Sequence, residues 1–184
     1  MSRGDGTNEF AGFKPVTVYV TYIAATPEKV WQALTEPAFS QQYFFGFAVA
    51  VERKTGGRFA LLYPDGRTHI SGRVLDWSPP RRFACTWTVE GVPGFAELPE
   101  CIVAYDIEPA GHAVRLTMTE SHSWDIPDAI LAGGRSGWPA ILSNLKSVLE
   151  TGEAMVIEMA PPPGFMDAVQ KAAAEKPWSS GRTG

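Results

Sequence analysis

Residues 112–122 read HAVRLTMTESH, and residues 138–152 read WPAILSNLKSVLETG. In the first stretch Val114, Leu116 and Met118 alternate with Arg115, Thr117 and Thr119. Side chains of a strand point to opposite faces in turn, so one face is apolar and the other solvated. In the second stretch Trp138, Ile141, Leu142, Leu145, Val148 and Leu149 fall at relative positions 0, 3, 4, 7, 10 and 11. That spacing is an amphipathic helix, with Ser143, Asn144, Ser147 and Glu150 on its polar side. Gly152 is the expected stop, because glycine enters left-handed backbone without a steric penalty. Residues 125–137 either begin this helix or form a separate turn, since Gly133, Gly134 and Gly137 weaken helical structure. A strand with one apolar face needs a cover, and the long helix is the element large enough to supply it.

Upstream, the period stays at two. Residues 101–107 precede the quoted strand across Pro109-Ala110-Gly111. Residues 82–90, 68–77, 58–63 and 47–51 read as further strands, separated by Pro79-Pro80, Pro64-Asp65-Gly66 and Gly56-Gly57; these are turn-forming residues. Residues 16–23 form a first strand. Thr26 then caps a short helix with Pro27 at its first position and Glu28 near the positive end of its dipole. A second short helix follows Glu36-Pro37 and carries Phe39, Tyr43 and Phe44. The expected fold is α+β: a curved antiparallel sheet wrapped around a long C-terminal helix, two short helices closing one end, and a space between sheet and helix.

The chain has 184 residues, 45% of them hydrophobic and 20% charged, with a net charge of -4. Mild acidity argues against a nucleic-acid partner. No apolar run reaches the ~18 residues of a membrane span, and residues 1–15 lack the apolar stretch of a secretory signal. Two cysteines make no disulfide framework, so a reduced, cytoplasmic setting is expected. Residues 1–14 read as a flexible leader, 15–152 as the domain, and 153–184 as an extension. In that extension Pro161-Pro162-Pro163-Gly164 breaks the chain. Phe165, Met166, Val169 and Ala173 then form one face of a short helix, suited to docking on the parent domain or a partner. The tail is also a candidate for completing a homodimer.

Three stretches resemble a known family. Residues 21–37 (TYIAATPEKVWQALTEP), 72–87 (GRVLDWSPPRRFACTW), and 114–121 (VRLTMTES) followed by 137–152 are similar to the START-like superfamily of SRPBCC, or helix-grip, proteins. Within it they resemble the family related to the C-terminal domain of the activator of heat-shock protein 90 ATPase. The likeness covers about residues 16–152. It departs at His122-Ser123-Trp124, at Pro139 and at Gln42-Tyr43-Phe44-Phe45. The resemblance implies an internal cavity that accepts a hydrophobic or amphipathic small molecule.

The residues themselves say what would line it. Glu120 and His122 share a face with Leu116 and Met118, so a carboxylate and an imidazole are expected under the helix. A buried carboxylate there must find a partner or a wet mouth. Phe83, Cys85 and Trp87 share the face of another strand, and Trp87 offers an indole N–H. Tyr43 and Phe44 are candidate cap residues, with Trp124 at the mouth. His69 and Tyr105 are further candidates. No cofactor is expected. His69, His112 and His122 lack metal-ligand spacing, so no metal is expected either. Cys85 and Cys101 read as small buried apolar residues, lying opposite each other if their hairpin centres near Pro93. No GxSxG elbow or phosphate loop is present. Three functions follow: a ligand-binding module, an enzyme of cyclase, dehydratase or hydrolase type using Glu120 and His122, or a co-chaperone-like interaction module.

Overall fold

Thr26 begins the first helix as its sequence demands. Its side chain accepts from the Lys29 backbone N–H at 3.3 Å, and Pro27 follows at the first helical position; such a cap contributes about 1 kcal/mol. The computed structural model describes residues 10–179. Strand β1 (Lys14–Ile23) leads into α1 (Pro27–Thr35) and α2 (Pro37–Tyr43). Then come β2 (Ala48–Val51), β3 (Arg58–Leu62), β4 (Thr68–Ser78), β5 (Arg82–Val89), β6 (Cys101–Ala110) and β7 (Ala113–His122). The helices α3 (Asp128–Thr151) and α4 (Phe165–Glu175) follow, and a 3-10 turn over Pro177–Ser179 completes the order. Of the expected leader, residues 1–9 lie outside the described residues, as do 180–184 of the tail. Phe10 and Phe13 face each other edge-on at 5.6 Å, and Lys14 already belongs to β1.

The strands form one antiparallel sheet in the order β1-β7-β6-β5-β4-β3-β2. Strands β2 to β7 are a meander, and β1 returns beside β7. The curved sheet and its long helix make the expected α+β helix-grip fold. Its register stacks inward residues in rungs: Phe83 with Tyr105 and Met118, then Cys85 with Val103 and Glu120. From α3, Trp138, Ile141, Leu142, Leu145 and Val148 enter the same core as Ile23, Val114, Leu116 and Met118. Each fully buried side chain of this size contributes ~1.5–3 kcal/mol.

In β1, Ile23 pairs with Val114 and Thr17 with Glu120. That register turns Val18 and Tyr22 outward, where they are 55% and 56% exposed. The β5–β6 hairpin centres on Gly94, one residue later than expected. Cys85 therefore lies opposite Val103, and Cys101 opposite Trp87. Residues 128–151 form one continuous helix through Pro139. Asn144 is buried rather than solvated, because the returning tail donates its Met155 N–H to Oδ1 at 2.9 Å.

The mid-helix glycines have packing reasons. A Cβ at Gly133 would fall 2.4 Å from the Phe165 ring of α4, and one at Gly134 would fall 3.0 Å from Oε2 of Glu120. Helix α4 thus docks on the chain itself. It buries Val169 and Ala172, rather than the expected Ala173, in a cluster with Ile130 and with Phe95, Leu98, Trp124 and Ile126 around it.

Candidate functional site

A cavity of about 390 Å³ opens between the far end of β5–β7 and α3. Its floor is Trp87, Cys101, Val103, Glu120 and His122, all on the concave face. Ile130, Gly134 and Trp138 of α3 face them. Phe95 and Leu98 of the β5–β6 loop, with Phe165 and Met166 of α4, close the remaining sides. The walls are mostly apolar, and their buried ionisable groups gather in one place.

That place is Glu120, 9% exposed, and His122, 7% exposed. Nε2–H of His122 donates to Oε1 of Glu120 at 2.7 Å, and Nε1–H of Trp138 donates to Oε2 at 2.8 Å. Both carboxylate oxygens are therefore satisfied, which is what burial of such a group requires. Nδ1 of His122 and Nε1 of Trp124 are buried without a hydrogen-bond partner among the described residues. Cys101 stands beside the pair, its Sγ 3.7 Å from the Trp87 carbonyl to which it donates. Burial, and then the nearby Glu120 carboxylate, push its thiol well above the usual range. Sγ of Cys101, a Glu120 oxygen and a His122 ring nitrogen lie within 4.8 Å of one another. Spacing between histidines could not show this cluster, since Cys101 of β6 meets Glu120 and His122 of β7 only across strands.

Trp87, Glu120 and His122 line the cavity where the sequence reading expected them. Seven other expected residues do not, and two of them, Phe44 and Tyr105, lie in the filled core. Leu116 and Met118 are fully buried beneath α3. Phe83 is ringed by Trp31, Phe59, Trp77 and Tyr105. Cys85 is buried beside Val103, and burial pushes its thiol far up. Tyr43 shares with Phe83 a crevice of about 10 Å³, at the limit of room for one water. The curved sheet is filled at that end, so the inward face alone does not identify a cavity wall. His69 reaches the cavity's edge, where Nδ1 bonds the Tyr63 hydroxyl at 3.0 Å and the ring stacks on Phe47 at 4.4 Å. Burial lowers its pKa, which favours the neutral ring.

The sequence reading missed Cys101, Phe95, Leu98 and Gly134 as wall residues. A glycine pair inside an otherwise helical pattern was the available sign of close approach.

Among the described residues no helix is long and apolar enough to cross a membrane. No curated protein matches the chain. Solved structures do. CalU16 from Micromonospora echinospora aligns with a TM-score of 0.60 at 21% identity, covering 91% of this chain and 94% of that one. Protein MLL2253 from Mesorhizobium loti aligns at 0.57 and 25% identity, covering 72% and 96%. The Aha1 dimer from Colwellia psychrerythraea gives 0.60 at 17% identity, covering 74% and 97%. Residues 24–150 match the family model described as Activator of Hsp90 ATPase homolog 1-like protein. The chain belongs to that family.

Proposed function

We propose that the protein binds a hydrophobic or amphipathic small molecule in the cavity over Glu120 and His122. The observation that carries this reading is the combination of apolar walls with one buried polar cluster. A volume of about 390 Å³ falls within the ~300–1,000 Å³ of small-molecule sites, which share that lining. The apolar body of the ligand lies between Trp87, Phe95 and Phe165, and its polar end meets the Glu120–His122 pair.

Native mass spectrometry of gently purified protein tests for a retained adduct, and quenching of tryptophan emission by a naphthol tests the site directly. Trp87, Trp124 and Trp138 all line the cavity. Saturable binding of one naphthol per chain is expected. Glu120→Gln should weaken it about 5- to 150-fold, the ~1–3 kcal/mol of a mismatched buried polar partner. No adduct, together with no saturable binding of any aromatic alcohol, would contradict the reading.

One observation favours a second reading. A carboxylate hydrogen-bonded to an imidazole at 2.7 Å inside a cavity is a pair able to hold or move a proton on a bound molecule. Turnover of a bound compound, abolished in both Glu120→Gln and His122→Gln, would mark the site as that of an enzyme.

A further inference from the structure

Cys101 begins β6 opposite Trp87. The β6–β7 register pairs Ile102 with Ser121 and Val103 with Glu120, and its continuation sets Cys101 against His122. The thiol, the carboxylate and the imidazole therefore share one face and converge within 4.8 Å. Glu120 and His122 are buried, with side chains 12% and 7% exposed, and Nδ1 of His122 has no partner among the described residues. All three residues line the cavity.

These are three ligand types that zinc accepts together, at ~2.0–2.3 Å from the ion. Around one tetrahedral ion, donors at those lengths lie ~3.3–3.8 Å apart, so side-chain rotations that move the donor atoms by about an ångström close the cluster. A thiolate selects against magnesium and calcium, which take oxygen ligands. Thiolate and carboxylate together carry two negative charges, which a divalent cation cancels beside a neutral imidazole. That balance suits a site walled by apolar side chains, where net charge is costly. A nucleophilic role for Cys101 fits less well. The carboxylate beside it opposes a free thiolate, whereas a cation stabilises one.

We propose that Cys101, Glu120 and His122 form a three-ligand zinc site whose fourth position faces the cavity. Binding replaces the Cys101 S–H bond with an S–Zn bond and releases that proton to solvent; His122 gives up its hydrogen bond to Glu120, and its one ring proton rests on the nitrogen that does not hold the ion. Trp138, through its Nε1–H on Glu120 Oε2, is the outer partner that orients the carboxylate. The site needs no organic ligand, so it stands or falls separately from the small-molecule reading.

The test uses the full chain, stripped with a chelator and dialysed, then titrated with zinc chloride in a calorimeter and with cobalt chloride by absorbance. One zinc per chain is expected. Cys101→Ser and His122→Gln should each weaken binding by more than about 100-fold, beyond the loss of a merely supporting partner. Trp138→Phe should weaken it by about tenfold. Cobalt should give a near-ultraviolet thiolate charge-transfer band that Cys101→Ser abolishes and Cys85→Ser retains. Absence of stoichiometric zinc, or of the thiolate band, in the unsubstituted protein would overturn the proposal whatever the variants do. Zinc binding that survives both ligand substitutions would overturn it equally.

Discussion

At one end of the concave face, the rung of Phe83, Tyr105 and Met118 meets Trp31 of α1 and Tyr43 of α2, leaving a crevice of about 10 Å³. At the other end, the rungs of Trp87, Cys101, Val103 and Glu120 meet a cavity of about 390 Å³. The same strands supply both floors, so the difference lies in the covers. The filled end is covered by α1 and α2, which follow β1 directly and carry large aromatic side chains. The hollow end is covered by a glycine-bearing turn of α3, the β5–β6 loop and α4; Trp138 reaches the floor at Glu120 and Trp87, whereas Gly133 and Gly134 send no side chain toward it. Absent side chains at Gly133 and Gly134 leave room for Phe165 and for the Glu120 carboxylate.

The largest effect is expected at the filled end. Phe83→Ala should cost ~3–5 kcal/mol, the range for deleting a large buried ring. Leu98→Ala, at a half-buried wall of the hollow end, should cost ~1 kcal/mol, since little burial is lost. Urea denaturation compares them, and equal losses would erase the distinction.

A second effect concerns the cover alone. Gly133→Val drives a side chain into the Phe165 ring, an overpacking worth ~1–3 kcal/mol. Its expected outcome is release of α4 with the sheet intact, read as faster protease cleavage within residues 153–163 and little change in the main unfolding transition. Unchanged cleavage would mean that α4 docks without needing the glycine.

The two cysteines give a smaller, graded comparison. Cys85 belongs to the filled end and Cys101 to the cavity wall. In native protein a small alkylating reagent should modify Cys101 slowly and Cys85 not at all, with both reacting after denaturation. Modification of Cys85 first would place the open space at the wrong end.

The smallest effect is at the seam where α3 meets the link between β1 and α1. Oε1 of Glu150 accepts from the Ala24 backbone N–H at 2.8 Å and pairs with Lys146. That backbone bond, and then Lys146, lower its pKa. A carboxyl depressed by folding stabilises fully above its unfolded pKa and stops doing so as pH falls through the lower folded value. Glu150→Gln should therefore flatten the stability profile slightly below about pH 4.5, near the ordinary glutamate value, and leave cavity binding unchanged.

The fold was legible because each element carries its own local sign. The period-two strands, the Thr26-Pro27 helix start and the heptad-like spacing from Trp138 to Leu149 each follow from neighbouring residues. Glu120 and His122 were legible for the same reason, through the parity of one strand. The extent of the cavity along the sheet was not, because its walls meet across long separations. Nothing local joins Phe165 to Gly133, or Cys101 to Glu120. Strand parity places Leu116, Met118 and Glu120 on one inward face, but cannot say which part of that face is covered by a side chain. Asn144 misled in the same way, since a polar residue on the outer helical face reads as solvated until a tail covers it.

Methyl-labelled protein titrated with a naphthol tests the central claim most directly. The account predicts saturable resonance shifts at Val92, Val103, Ile126 and Ile130, which line the cavity. It predicts none at Val114, Leu116 or Leu145, which lie in the filled core. Shifts spread evenly through both sets, or confined to the core set, would contradict it.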